Sequence, residues 1–120
     1  EEQKAANRLT EAERKAAVKR AAQMLAEKTA HFAKEMGVTY GRITIREQKT
    51  RWGSCSSAGN LNYNWKLVLM PERVMDYVVI HELAHRKEMN HSARFYAVVA
   101  QQMPDYKVWQ SWLKEHGREY

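Results

Sequence analysis

A chain of 120 residues has the length of one domain with one modest hydrophobic core. Its 44% hydrophobic and 28% charged residues are typical of a globular protein, and the absence of any apolar run near the roughly 20 residues that span a bilayer excludes a membrane protein. The formal net charge of +6 could attract nucleotides, nucleic acid or acidic peptides, although a solvated basic face is the commoner explanation. Cys55 is the single cysteine, so an internal disulfide is excluded and a reducing, cytoplasmic location is expected.

The first element in the chain is a helix over residues 10–36. Thr10 suits the N-cap position, and Glu13, three residues later, completes a capping-box pattern. Apolar residues then recur at helical spacing, and Gly37 suits the residue that ends a helix. We assign residues 1–37 to an N-terminal helical segment of the same domain, and residues 38–120 to its core.

Strands are expected to follow this helix. Residues 40–48 alternate between polar and apolar side chains, and residues 61–65 and 66–70 are also strand-like. Residues 52–60 are rich in glycine and serine and indicate a loop. These segments predict a small antiparallel sheet.

Three helices complete the chain. Pro71 suits the first position of a helix that is apolar nearly all round in its middle, which indicates a central, buried helix. Ser92 is expected to cap a helix over 93–103, and Pro104 separates that helix from a last one over 105–116. The order of helix, strands and helices predicts an α+β fold in which the sheet packs on the central helix.

The central helix carries the pattern H-E-x-x-H at His81, Glu82 and His85. Residues four apart share a helix face, so both imidazoles can reach one Zn²⁺ ion, and Glu82 is placed to take a proton from a zinc-activated water. Burying two histidines and a glutamate in an apolar helix would be costly without partners or a metal. The pattern therefore predicts a catalytic zinc site and not a chance match.

A catalytic zinc ion needs a third protein ligand and one open position. On an unbroken helix the side chain of His91 would point about 120° away from that of His85, so His91 can serve only if the helix ends first. Asn90 tolerates the left-handed conformation that ends helices, and Ser92 can begin the next helix, so we expect a bend at Asn90. Glu115 on the last helix is the alternative third ligand.

Three motifs together resemble the YgjP-like metallopeptidase family, which is similar to the SprT and WLM minimal zincins. They are T-R-W-G-S-C-S at 50–56, N-L-N-Y-N-W at 60–65 and H-E-L-A-H followed by N-H-S at 90–92, and the resemblance covers roughly residues 38–117. It implies a minimal zincin-like fold, a zinc ion held by His81, His85 and His91, and Glu82 as the general base.

Several further residues are candidates for substrate contacts. Arg51 could bind a substrate carboxylate or phosphate, or stabilise an oxyanion, with Trp52 beside it; the alternative is a core tryptophan and an ion-paired arginine, and the resemblance favours function. Cys55 could cap the zinc ion, although a buried thiol is commoner. The tyrosines that could donate to an oxyanion, each with a role in the core as its alternative, are Tyr63, Tyr96 and Tyr106.

Three functions are compatible with these residues. The preferred one is a zinc metallopeptidase, whose extended peptide or protein substrate would lie along the edge of strand 61–65 or 66–70. The first alternative is a nucleoside triphosphate pyrophosphatase, as some relatives are described, with phosphates held by Arg42, Arg46, Lys49 and Arg51. The second is a binding module with a structural zinc ion, which would use four protein ligands where the sequence offers three and a general base.

Overall fold

In the computed structural model, which describes residues 4–120, four α-helices pack around one three-stranded sheet. The helices are α1 (Glu11–Met36), α2 (Glu72–Ala84), α3 (Ala93–Gln102) and α4 (Tyr106–His116), and the strands are β1 (Ile43–Arg46), β2 (Gly53–Cys55) and β3 (Leu61–Asn64). The predicted α+β fold is confirmed. Residues 1–3 of the predicted N-terminal segment lie outside the described residues, and the division of the domain at residue 37 stays a prediction.

Helix α1 begins and ends where its sequence predicts. The Thr10 hydroxyl accepts from the Glu13 N–H at 3.1 Å, and the Glu13 carboxylate accepts from the Thr10 N–H at 2.8 Å. These hydrogen bonds complete the capping box and lower the pKa of Glu13. Gly37 ends the helix in the left-handed region with φ of 70°. The buried face of α1 packs against α2 and a short 3₁₀ helix, Trp65–Leu69.

The sheet is mixed, so the predicted antiparallel sheet is wrong. Strand β3 lies in the centre, parallel to β1 and antiparallel to β2. The predicted loop over 52–60 is also only partly right, because its first residues form β2. The hairpin between β2 and β3 turns at Ser56–Gly59, where the Gly59 N–H donates to the Ser56 carbonyl at 2.9 Å and Gly59 has φ of 90°.

The predicted strand over 66–70 is also wrong, because the chain forms the 3₁₀ helix Trp65–Leu69 there. Asn64 causes the change of direction. Its side chain accepts from the Lys66 N–H at 3.0 Å and donates to the carbonyl of Gln48 at 3.0 Å and to that of Arg51 at 3.3 Å. An apolar run of this length fits a strand and a buried helical turn equally well, so its hydrophobic pattern did not distinguish them.

Helix α2 is the central helix that the sequence predicts, and it contacts α1, α3, α4 and β2. Pro71 is its N-cap and not its first helical residue. Lys28 of α1 donates to Glu72 at 2.7 Å and to Asp76 at 2.6 Å, which ties the start of α2 to α1. Within residues 4–120, no helix has the length and apolar character needed to cross a membrane. The cytoplasmic location stays a prediction.

Candidate metal centre

Three imidazole rings converge at the end of α2. Two belong to His81 and His85, and the third belongs to His91, just before α3. One donor atom from each of these histidines lies within 4.8 Å of the other two. Among residues 4–120, this is the group of metal-ligating side chains that is close enough together to hold one ion. His81 Nε2 and His91 Nε2 lie 3.2 Å apart. Two nitrogens that bind one tetrahedral Zn²⁺ at about 2.05 Å are separated by about 3.3 Å, so this spacing fits a shared ion.

The opposite nitrogens of two of these rings have polar partners. His81 Nδ1 lies 3.3 Å from the Tyr77 hydroxyl, which also accepts from Gln110 Nε2 at 3.3 Å. His85 Nδ1 donates to the Glu88 carbonyl at 3.3 Å. Such partners fix the tautomer and the ring orientation of metal-binding histidines. They leave the Nε2 atoms of both rings free to bind an ion.

Phe95 of α3 forms the apolar support of this cluster. It is fully buried, and its ring centroid lies 4.9 Å from that of His81, 4.5 Å from that of His85 and 4.9 Å from that of His91. Burial, followed by the nearby charges of the other two imidazoles, lowers the pKa of His81 to about 4. The ring is therefore neutral at physiological pH, which is the form that binds metals.

His91 reaches the other two histidines because α2 ends early. The last helical residue is Ala84, with His85 as the C-cap, and no non-glycine residue in the described part of the chain has a positive φ. The chain bends at Asn90 as predicted, but the bend does not use the left-handed conformation that we expected there. Arg86 holds the helix end in place, since its guanidinium donates to the Thr39 carbonyl at 2.9 Å and to the Ser57 carbonyl at 3.3 Å.

Glu82 is buried beside the histidines, with only 7% of its surface exposed. Burial raises its pKa to about 7, and the positive charge of Arg51 opposes that shift. The backbone of β2 lies directly against this side chain, because a Cβ atom at Gly53 would lie 3.1 Å from Glu82 Cγ and 3.1 Å from Val78 Cγ1. Glycine at this position therefore permits the close approach of β2 to α2.

A cavity of about 360 Å³ opens in front of the cluster. Its lining consists of the three histidines with Arg51, Gly53, Ser54, Cys55 and Glu82. Strand β2, which supplies three of these residues, is an edge strand and pairs with β3 on one side only. The central strand β3 has a neighbour on each side, so the prediction that a peptide would pair along 61–65 or 66–70 is wrong.

A family model for the YgjP-like metallopeptidase domain matches residues 1–116. The chain belongs to the YgjP-like metallopeptidase family. Membership makes it a metal-dependent hydrolase of the peptidase class, which implies a divalent metal and a peptide or protein substrate. The resemblance seen in the sequence is thereby confirmed.

Two solved structures share the fold of this YgjP-like chain. The metallopeptidase zymogen of Pyrococcus abyssi abylysin has a TM-score of 0.67 and 23% identity, over 76% of this chain and 93% of that one. The metallopeptidase zymogen of Methanocaldococcus jannaschii jannalysin has a TM-score of 0.66 and 18% identity, over 76% of this chain and 94% of that one. At these identities the likeness concerns the fold alone. A comparison with curated protein sequences gives no match.

The residues expected at the substrate take different positions in this YgjP-like domain. Arg51 is exposed and lines the cavity in front of the histidines. Trp52 is half-buried and packs against Gly117, where a Cβ atom would lie 3.1 Å from the indole. Cys55 lines the cavity but is not one of the converging donors, and burial followed by the charge of Glu82 raises the pKa of its thiol. Glu115 is exposed on α4 and pairs with His116 at 3.6 Å.

Of the predicted oxyanion donors, only Tyr96 lies near the cluster, with its ring 6.5 Å from that of His81 and 6.3 Å from that of His91. The Tyr63 hydroxyl is bound to Thr29 at 3.0 Å inside the core, and Tyr106 is buried. Sequence reasoning missed Tyr77, which lies in the apolar middle of α2. Its position four residues before the first metal-motif histidine is the signal that could have identified it.

The basic residues that could have held phosphates do not converge. Arg51 lines the cavity in front of the histidines, whereas Lys49 lines a neighbouring one. Arg46 lies on β1, on the far side of β3 from β2, and its guanidinium donates to Asn62 at 2.9 Å. This arrangement offers no clustered site for a triphosphate at the candidate metal centre.

Proposed function

We propose that this protein is a zinc-dependent metallopeptidase of minimal zincin type, in which His81, His85 and His91 hold the ion and Glu82 is the general base. One observation carries the proposal: three convergent imidazoles and one buried carboxylate line the same open cavity beside an edge strand. Metal-assisted hydrolysis of a peptide requires these groups: ligands for the ion, a general base and a surface that binds the substrate.

Zinc is the ion that this donor set favours. Imidazole nitrogens suit Zn²⁺, whereas carboxylate and carbonyl oxygens suit Mg²⁺ and Ca²⁺. Three protein ligands leave a fourth position open, which distinguishes a catalytic site from a structural one with four. When bound, zinc supplies Lewis-acid polarisation of the scissile carbonyl and of the attacking water.

Glu82 is the proton carrier in this proposal. Its carboxylate takes a proton from the attacking water and delivers it to the leaving amine. Because the side chain is buried against Gly53 and Val78, it has little freedom to turn away from the cavity. A base that is held in this way needs no reorganisation when the reaction begins.

Strand β2 is the proposed binding edge for the substrate. An extended peptide that pairs with the free edge of β2 would pass the cavity in front of Glu82, with its main chain held by hydrogen bonds to the strand. Arg51, two residues before this strand, would face the developing oxyanion or a substrate carboxylate, and Trp52 would contact substrate side chains.

The replacement of Glu82 by Gln tests the proposed function. The Glu82→Gln variant keeps the size of the side chain and removes the base, so we expect normal zinc content and a loss of turnover of about 100-fold or more. Zinc content and cleavage of a peptide library are measured on the same preparation, with nucleoside triphosphates assayed in parallel.

Glu27→Gln is the matched control, because Glu27 is exposed on α1 and is not part of the lining of the cavity. Its turnover should equal that of the unmodified protein. Wild-type turnover in Glu82→Gln would contradict the general-base role. Hydrolysis of a triphosphate without cleavage of any peptide would contradict the proposed substrate class.

A further inference from the structure

A second and larger cavity lies next to the candidate metal centre. Its volume is about 680 Å³, within the range of ordinary ligand sites. Trp52 and Leu113 line both this cavity and a third one of about 170 Å³. The third cavity shares Arg51, Gly53, His81 and Glu82 with the cavity in front of the histidines. The two spaces therefore adjoin one another along the Trp52 indole.

The charged residues of this second cavity are mostly cationic. We call it the basic cleft, and its charged side chains are Lys4, Glu47, Lys49, Lys66 and Arg118. Its one acidic side chain is already engaged, because Glu47 accepts from the Trp65 indole at 2.9 Å, lies 3.6 Å from Lys66 Nζ and pairs with Arg14. Within residues 4–120, neither Lys49 nor Arg118 has a carboxylate within 4.0 Å. The cleft thus presents cations that no acid of the described chain neutralises.

We propose that the basic cleft is a specificity subsite that binds acidic side chains of the peptide substrate a few residues from the scissile bond. The proposal rests on the proposed peptidase function, because it extends the path of a peptide bound along β2 past Trp52. Lysine and arginine side chains are long and flexible, so they can attract carboxylates at several positions. The subsite should therefore select peptides by their negative charge and not by one exact sequence. Nucleic acid is the other polyanion that a basic cleft could bind, and the family membership favours a peptide.

The preference itself is measured with two peptides of equal length and the same cleavage site. One carries Glu and Asp at the positions flanking that site, and the other carries Gln and Asn there. We expect a higher kcat/KM for the acidic peptide, and we expect about 0.5 M salt to remove most of the difference, since exposed charges are screened at that ionic strength. Equal kcat/KM values for both peptides at low salt would overturn the proposal.

Charge-reversal variants locate the preference in the cleft. Lys49→Glu and Arg118→Glu should each lower the acidic-to-amide ratio of kcat/KM by about fivefold, the scale of one partly screened ion pair reversed in sign. Lys19→Glu, on the exposed face of α1 and outside the lining of both cavities, makes the same change in net charge. It should leave the ratio unchanged, and an equal fall in all three variants would overturn the proposal, because the effect would then follow net charge alone.

A binding measurement separates this proposal from the proposed function. The fluorescence anisotropy of each labelled peptide is measured with zinc-loaded Glu82→Gln protein, with a single-stranded oligonucleotide as competitor. Tighter binding of the acidic peptide that is lost in Lys49→Glu supports the subsite even if no peptide is cleaved by the unmodified protein. Cleavage together with equal binding of both peptides would overturn the subsite and leave the peptidase function intact. An oligonucleotide that binds more tightly than the acidic peptide, and loses binding in Lys49→Glu, would overturn the choice of a peptide.

Discussion

Tyr77 and the Glu88 carbonyl contact the imidazole nitrogens of His81 and His85 that point away from the shared metal position. At the scale of the residue, these contacts set which nitrogen of each ring is free to bind. Phe95 adds an apolar surface against which all three rings pack. The metal affinity of the site should therefore depend on residues that never touch the ion.

The proposed third ligand, His91, is tested by removing its imidazole. His91→Ala should lower the zinc affinity severely, because two imidazoles bind the ion far more weakly than three. Glu115→Ala is the control, since Glu115 is exposed on α4 and outside the converging group. Zinc per chain after dialysis distinguishes the two variants. Retention of zinc in His91→Ala and its loss in Glu115→Ala would reverse the assignment.

The contribution of Tyr77 is tested by removing its hydroxyl. Tyr77→Phe keeps the ring and loses the partner of His81 Nδ1, so the zinc affinity should fall by about tenfold. Tyr96→Phe removes a hydroxyl from a ring that also lies near the histidines and should have little effect. Competition with a chelating dye measures both affinities. Equal affinities in the two variants would show that the Tyr77 hydroxyl does not orient the histidine.

At the scale of the element, the ends of helices decide the geometry of the site. Helix α2 stops at Ala84, and the turn that follows carries His91 back towards α2. Helix α1 has both of its ends specified by local hydrogen bonds and by Gly37, and its buried face supports α2 from behind. The stability of α1 can therefore be changed without contact with the metal centre.

The capping box of α1 provides such a change. Thr10→Ala removes the hydroxyl that accepts from the Glu13 N–H and should lower the free energy of unfolding by about 1 kcal/mol. Thr10→Ser keeps an accepting hydroxyl and should cost only a small part of that. Urea unfolding of the two variants gives the comparison, and the zinc content of both should equal that of the unmodified protein. Equal stabilities would show that the cap contributes nothing measurable.

At the scale of the whole molecule, several carboxylates of this chain, whose net charge is +6, form ion pairs between separate segments. Lys28 links α1 to the start of α2 through Glu72 and Asp76. Glu47, in the chain after β1, accepts from the Trp65 indole and lies beside Arg14 and Lys66. These ion pairs join segments that are distant in the sequence, so their loss should destabilise the fold as the carboxylates become protonated.

The pKa of Glu47 determines the direction in which the stability of the fold changes with pH. The hydrogen bond from Trp65, together with the charges of Lys66 and Arg14, lowers the pKa of Glu47 below its usual 4.5. Its stabilising contribution is therefore present above about pH 4.5 and is lost as the pH falls through the lowered pKa. Because the Glu47 side chain is 41% exposed, its ion pairs with Arg14 and Lys66 should contribute under about 1 kcal/mol to the free energy of unfolding.

Glu47→Gln keeps an acceptor for the Trp65 indole and removes the titrating charge. The free energies of unfolding of the two proteins should differ at pH 6 and converge as the pH falls below the lowered pKa. Measurements with a chelator present exclude any contribution from metal release at acidic pH. A difference that stays constant from pH 6 to pH 3 would show that the Glu47 charge does not stabilise the fold.

The sequence by itself determined the features that local spacing encodes. The capping box and Gly37 set the bounds of α1, and the i, i+4 spacing of His81 and His85 puts two imidazoles on one helix face whatever surrounds them. The α+β order of elements and the family motifs also follow from the chain alone. Each of these depends on groups a few residues apart, which is why a linear pattern could predict them.

Only the tertiary structure decided how distant segments meet. The direction of β1 relative to β3, the formation of β2 inside a glycine-rich stretch and the 3₁₀ helix at Trp65–Leu69 each depend on pairing or packing with remote residues. The early end of α2 also depends on remote residues, because Arg86 donates to the carbonyls of Thr39 and Ser57 there. The basic cleft depends on the tertiary structure as well, because its residues come from both ends and from the middle of the chain. The physical reason is that such contacts gain their free energy only when separated segments come together, and no short window of sequence contains both partners.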